Sequence, residues 1–188
     1  PHHTISSVAL IGGGTNPMPG EVSLAHNGVL YCDEFPEYSR TVLEVLRQPL
    51  EDRKIIVARA KNTVEYPSSV MLVASMNPCP CGYFTHPTRE CTCTAVQVQK
   101  YLGRVSGPLL DRIDLHIDIL PLSFEEMSKT SVSESSSEIR ERVIKARKIQ
   151  EERYLEHPLI HCNAQMTPAL LRQHAVLDEK ALKILKNA

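Results

Sequence analysis

The chain has 188 residues, enough for one domain or one domain with a small appendage. Its 21 Lys+Arg against 22 Asp+Glu leave a net charge of −1, which excludes a histone-like polycation and an acidic tail while permitting a local basic loop. With 42% hydrophobic and 23% charged residues, no Trp and 3 Phe, the composition is that of a folded domain with an aliphatic core and excludes disorder. The first segment, Ile5 to Ile11, is apolar and reads as β-prone; Gly12-Gly13-Gly14 and the prolines up to Gly20 then demand a loop. Val29 to Cys32 reads as a short buried strand ending in Asp33-Glu34. Ser39 is a candidate N-cap for a helix that lays Val42, Leu43 and Leu46 on one face and stops at Pro49. Residues 54–66 predict a hairpin with a basic tip at Arg59 and Lys61. Val70 to Ala74 is a continuous apolar run, the pattern of a central strand buried on both faces, and it runs into Asn77.

Thr94 with Gln97 forms a capping box before Val98, Tyr101 and Leu102, and Gly103 is a natural stop. A short turn at Ser106-Gly107-Pro108 carries Asp111 and Arg112. Leu115, Ile117 and Ile119 alternate with Asp114, His116 and Asp118, which predicts a strand over 114–120. Ser123 with Glu126 is another capping box, and the Ser-rich stretch that follows reads as a linker over 122–137. From 138 the chain is helical: Ile139, Val143, Ala146 and Ile149 or Gln150 share a face among alternating charges. Thr167-Pro168 opens a second helix and Leu177 a third. The expected organisation is a core over 1–121 and a helical region over 138–188.

No apolar run reaches the roughly 18 residues of a transmembrane helix. No basic leader with an apolar stretch opens the chain, so the expected compartment is cytoplasmic. The start at Pro1 predicts a processed chain or a piece of a longer one. In a reducing compartment, clustered cysteines more often bind metal than pair. Cys79-Pro-Cys81 and Cys91-Thr-Cys93 supply four thiols within one loop, suited to a closed tetrahedral Zn²⁺ site. One residue between paired cysteines, where two are usual, makes the geometry tight, and His86 offers a substitute ligand. Reduced thiols and a disulfide remain alternatives. Cys32 reads as core and Cys162 as unpaired. His2 and His3 read as packing or surface residues.

A buried strand ending in Asp-Glu points to chemistry. At the carboxyl end of a parallel strand one carboxylate can hold Mg²⁺ and the other can take a proton from water. Asn77 ends a second strand, and adjacent parallel strands open their carboxyl ends on one crevice. With the guanidinium of Arg112 these are parts of a nucleoside triphosphatase, although Arg112 also fits an ordinary ion pair with Asp111 or Asp114. Gly12 to Gly14 suggest phosphate binding, but no Gly-Lys-Ser/Thr of a Walker A loop occurs in the chain, and turn chemistry favours a plain flexible loop.

The sequence resembles the Mg-chelatase-related AAA+ ATPases, in particular their ComM/YifB-type branch. The resemblance rests on Pro1-His-His-Thr4, Gly12-Gly-Gly14, Pro19 to Gly28, Leu43 to Glu51, Met76-Asn-Pro-Cys-Pro-Cys-Gly82, Ser106 to Asp114 and Asn163 to Pro168, and it covers nearly the whole chain. It implies an α/β fold: part of a parallel AAA+ sheet with flanking helices, followed by a small helical lid. Val29–Glu34 is similar to Walker B, with Asp33 beside Mg²⁺ and Glu34 as general base. Asn77 resembles sensor 1, which orients the attacking water. Arg112 resembles an arginine finger acting on a neighbouring subunit's γ-phosphate.

The loop over 12–20 and the hairpin over 54–66 match two family elements that face the pore of a ring, which makes Arg59 and Lys61 the candidate DNA contacts; on charge alone they are a solvated turn. The implied parent is a ring-forming homo-oligomeric ATPase using ATP and Mg²⁺ as a branch-migration helicase. Walker A is expected upstream of Pro1 and a sensor 2 Arg beyond Ala188. Residues 1–188 alone are therefore expected to be inactive toward ATP and to self-associate. Two other readings stay open: a magnesium-chelatase-type motor subunit, and a non-enzymatic zinc-stabilised binding module.

Overall fold

The computed structural model describes residues 1–58, 63–122, 128 and 134–187. Two compact units divide the chain, Pro1–Leu122 and Ser123–Ala188. The first is mixed α/β, with a small parallel sheet and surrounding helices.

It opens with a helix, α1 (Ser7–Ile11), where β-branched composition predicts extended chain. The Ser6 hydroxyl accepts the Ala9 N–H at 3.1 Å and caps the turn, and helical geometry buries Leu10 completely. Local capping and burial outweigh propensity here. The glycine loop carries a two-residue ladder, β1 (Gly12–Gly13) against β2 (Met18–Pro19), and leads into α2 (Glu21–Leu24). Its neck is tight: a β-carbon on Gly12 would lie 2.5 Å from the Met18 carbonyl oxygen, and one on Gly20 2.4 Å from the Gly12 nitrogen.

The sheet that positions the candidate site pairs β3 (Val29–Cys32) with β6 (Met71–Ala74) in parallel, with Cys32 opposite Ala74. Leu30 and Cys32 are buried in the core, but Val29 and Tyr31 are exposed, as are Met71 and Val73. The expected burial of the second strand on both faces is therefore not found: β6 covers its inner face only, with Leu72 against the core.

Ser39 caps α3 (Arg40–Val45) through Val42 N–H, and Val42 and Leu43 are buried. Pro49 does not end this segment. Leu46 closes α3 and starts α4 (Arg47–Asp52), and Pro49 lies within the first turn of α4, where its missing N–H costs no helical bond. β4 (Lys54–Ala58) and β5 (Thr63–Pro67) form the predicted antiparallel hairpin. Its basic tip, Arg59 and Lys61, lies outside the described residues.

The Thr94/Gln97 capping box opens α5 (Ala95–Leu102), and α6 (Gly107–Leu110) follows Ser106. Residues 114–120 are not a strand. They have no ladder partner among the described residues, and Leu115 and Ile119 are 79% and 91% exposed. Alternation marks a face, but only a pairing strand turns it into sheet.

The second unit begins its described helices with α7 (Ser136–Arg153), capped by a Ser135/Glu138 box, two residues before the expected start. Its apolar face, including Ile139, Val143 and Ile149, is exposed. Tyr154 and Leu170 are the buried residues among those described in this unit; α8 (Pro168–His174) starts at the Thr167 cap, and α9 (Glu179–Asn187) follows. The Ser123/Glu126 capping box and residues 129–133 of the Ser-rich stretch lie outside the described residues. No described helix is long and apolar enough to cross a membrane.

Candidate functional site

Parallel pairing brings the ends of β3 and β6 side by side. Asp33, Glu34, Ser75, Met76 and Asn77 line one cleft of about 100 Å³ there. The join is made by backbone: Ser75 N–H donates to the Cys32 carbonyl at 3.0 Å, and Phe35 N–H to the Ser75 carbonyl at 2.9 Å. The Ser75 hydroxyl donates to Asp33 Oδ1, which also accepts the Glu34 N–H at 3.0 Å. These two donors, Ser75 first, hold the Asp33 carboxyl below its ordinary pKa, so it stays ionised. An ionised carboxylate at a strand end is an oxygen donor suited to Mg²⁺.

Glu34 adopts a left-handed backbone, φ 52° and ψ 46°, where the chain turns from β3 into the short 3₁₀ turn Phe35–Glu37. Its Oε2 lies 2.9 Å from His3 Nδ1, and both side chains are partly solvated. His3 in turn stacks with His2 and meets the edge of Tyr38. Ser75 and His3 are thus two cleft neighbours that the sequence reading did not assign to the site. Ser75 was within reach, because it follows the residue paired with Cys32; His3 is far away in sequence and carried no spacing signal.

Arg112 is not among the residues lining this cleft. Its guanidinium holds Glu51 of α4 through Nε at 3.1 Å and through a second nitrogen, and it also donates to the Pro108 carbonyl. The ion pair falls to Glu51 and not to Asp111 or Asp114. The guanidinium side is 26% exposed and the carboxylate side 61%, so solvent screens the pair and its net strength is at most about 1 kcal/mol.

The four loop cysteines converge. Sγ of Cys79 lies 3.3 Å from Cys81 and 3.7 Å from Cys91, and Cys81 lies 3.6 Å from Cys91. All four sulfurs, Cys93 included, fall within 4.8 Å of one another. A tetrahedron of sulfurs around Zn²⁺ at about 2.3 Å has edges of roughly 3.8 Å, so the set fits that metal with little movement. The one-residue spacing is therefore no obstacle. A backbone N–H from Tyr83 pulls Cys81 down to about 5, whereas Cys93 is pushed up by desolvation and its thiol neighbours. One thiolate in the cluster opposes a second, and a cation reverses that repulsion. His86 is not a member: its Nδ1 accepts the N–H groups of Thr88 at 3.2 Å and Arg89 at 3.1 Å. Cys32 is core, where burial raises its thiol, and Cys162 is a free thiol.

A family model described as magnesium chelatase, subunit ChlI, matches residues 1–127, and one for the C-terminal part of that subunit matches 133–188. Competence protein ComM of Haemophilus influenzae is 48% identical over 154 residues, covering 81% of this chain and 30% of that protein. The uncharacterized protein YifB of Escherichia coli is 46% identical over 181 residues, covering 96% of this chain and 34% of its own length. The chain thus spans about a third of the length of these curated relatives. Among solved structures, NtrX from Brucella abortus in complex with ADP aligns with a TM-score of 0.40 at 18% identity, over 61% of this chain and 23% of that one.

Proposed function

We propose, because this chain belongs to the magnesium chelatase, subunit ChlI, family, that it carries the hydrolytic half of an AAA+ ATPase motor that remodels DNA. The observation that carries this reading is the single cleft formed by Asp33, Glu34 and Asn77 at the ends of two parallel strands. Magnesium, when bound with ATP, would offset phosphate charge beside Asp33. Glu34 takes the proton of the attacking water, and Asn77 orients that water. His3 restrains the Glu34 carboxylate through Nδ1.

Arg112 acts in trans on a nucleotide held by the adjoining subunit of a homo-oligomeric ring. Its partly solvated pair with Glu51 supports this role, since a screened ion pair can be exchanged for a phosphate at small cost. Arg59 and Lys61 at the hairpin tip contact the DNA backbone. The four thiols hold one structural Zn²⁺. The motor works in the cytoplasm. The identity to ComM, a competence protein, supports DNA as the polymer. The family description itself supports a second reading, a motor that drives metal insertion into a porphyrin.

The test uses the complete protein. Glu34→Gln should retain ATP binding and lower turnover by about 10²-fold or more, the scale of a general base. Near-normal turnover would overturn the assignment. Stimulation of the parent ATPase by forked DNA, against stimulation by porphyrin-chelatase partners, separates the two motors.

A further inference from the structure

The thiol cluster is joined to the hydrolytic cleft by two routes, one along the chain and one through a helix. Cys79 is fully buried and stands two residues beyond Asn77. Cys93 directly precedes Thr94, the N-cap of α5. Just past the other end of α5, Arg104 donates to the Pro36 carbonyl at 3.1 Å and to the Glu37 carboxylate at 2.7 Å, in the turn that follows Glu34. Tyr101, buried on the same helix, has the Arg104 guanidinium 5.9 Å from its ring centre. One helix therefore runs from the thiols to the Glu34 turn, and the thiols themselves begin beside Asn77.

Val98 and Tyr101 pack α5 itself, but the loop that leads into its start has no packed core of its own. Residues 79–93 contain no helix or strand, and Cys79 is their single buried residue. The segment buries a single side chain fully, which is little against the entropy of its own ordering. Beyond the local bonds of Tyr83, His86 and Arg89, its anchor is the set of converging sulfurs, which fit a tetrahedral thiophilic cation.

We infer that Zn²⁺ bound by Cys79, Cys81, Cys91 and Cys93 braces the cleft, fixing Asn77 directly and the Glu34–Glu37 turn through α5 and Arg104, so that turnover depends on the metal. This deepens the proposed function and rests on the reading of Glu34 and Asn77 as hydrolytic groups. The metal takes no part in the chemistry. Cys79 and Arg104 are positioning residues, and loss of the brace changes where the carboxylate and the amide stand. A displacement of that kind lowers turnover and leaves nucleotide affinity nearly unchanged.

The experiment uses the complete protein, with zinc analysis, hydrogen exchange and ATPase kinetics on the same preparations. The purified protein should carry one Zn²⁺ per chain. Stripping the metal with a chelator should raise exchange about 10-fold or more in residues 75–79 and 34–38, through local opening, and Zn²⁺ addition should restore protection. It should also lower kcat about 10-fold or more with little change in KM for ATP. Cys91→Ser with Cys93→Ser should reproduce the stripped state without recovery on Zn²⁺ addition.

Arg104→Met keeps the four sulfurs and should keep the metal. It should loosen 34–38 alone and lower kcat, which gives a reading even if the stripped protein aggregates. A protein purified without metal, unchanged exchange at 75–79 after stripping, or an Arg104→Met variant that protects 34–38 fully would each overturn the brace. Exchange that follows zinc while Glu34→Gln leaves ATP turnover intact keeps the brace and overturns the hydrolytic reading.

Discussion

Glu34 stores backbone strain that can be measured separately from its chemistry. Its φ of 52° places a β-carbon residue in the left-handed region, at a cost of roughly 1–2 kcal/mol. Three hydrogen bonds prevent relaxation: Glu34 N–H to Asp33 Oδ1 at 3.0 Å, Phe35 N–H to the Ser75 carbonyl at 2.9 Å, and Glu37 N–H to the Glu34 carbonyl at 2.7 Å. The buried Phe35 and Pro36 anchor the turn from below. Ala at position 34 keeps the strain and loses the His3 contact; Gly loses the same contact but not the left-handed freedom. Gly returns roughly 0.5–1 kcal/mol as extra chain entropy, so Glu34→Gly should exceed Glu34→Ala in stability by about 0.5–1 kcal/mol. In thermal unfolding this is a difference of about 2–5 °C for a unit of this size. Both variants should lose ATP turnover equally, because neither carries a carboxylate. An Ala variant as stable as the Gly variant would show that the turn relaxes and that no strain is held at the site.

Three further outcomes are expected. Arg112→Ala and Glu34→Gln, each inactive alone, should recover ATPase activity when mixed, since some interfaces then join an intact Glu34 site to a neighbour's intact Arg112; a finger of this type is worth about 10³–10⁵ in rate, so mixed rings without recovery would refute a role in trans. Asp33 has a folded pKa below its unfolded value of about 3.9, so its contribution to stability is present above that value and is lost as pH falls through the lowered one. Ser75→Ala removes the largest cause of that lowering, so its stability deficit in urea unfolding should narrow as pH drops below about 4; a deficit constant with pH would show that the hydroxyl acts only by packing. Leu43→Ala, at a fully buried core position, should cost about 2–5 kcal/mol in the same assay, and a loss under 1 kcal/mol would mean that the α3 face is not core.

Features fixed by neighbouring atoms were readable in the sequence. The Ser39, Thr94/Gln97 and Thr167 caps each satisfy an N–H three residues on, so composition and spacing carry the whole signal. The β4–β5 hairpin likewise depends on short-range contact. Features that need a distant partner were not readable. Within Ile5 to Ile11, residues from Ser7 onward are helical because Leu10 is buried in a core shared with Val22 and Leu43. Leu115 to Ile119 kept a strand's alternation without a strand to pair with. At the site, Asp33, Glu34, Asn77 and the four cysteines announce themselves by residue type at a strand end or in one loop. Ser75 depends on the register of β3 against β6, and His3 on the path of the chain before α1.

The narrow neck of the glycine loop bears on how motion travels through the first unit. Gly12 and Gly20 are in backbone-on-backbone contact, and the ladder of Gly12–Gly13 with Met18–Pro19 closes the root of the loop around residues 14–17. Just there the Tyr66 hydroxyl donates to the Pro17 carbonyl at 2.9 Å, clamping the loop to the β4–β5 hairpin. A displacement of β5 at Tyr66 is passed to Pro17 through that bond and does not stay within one segment.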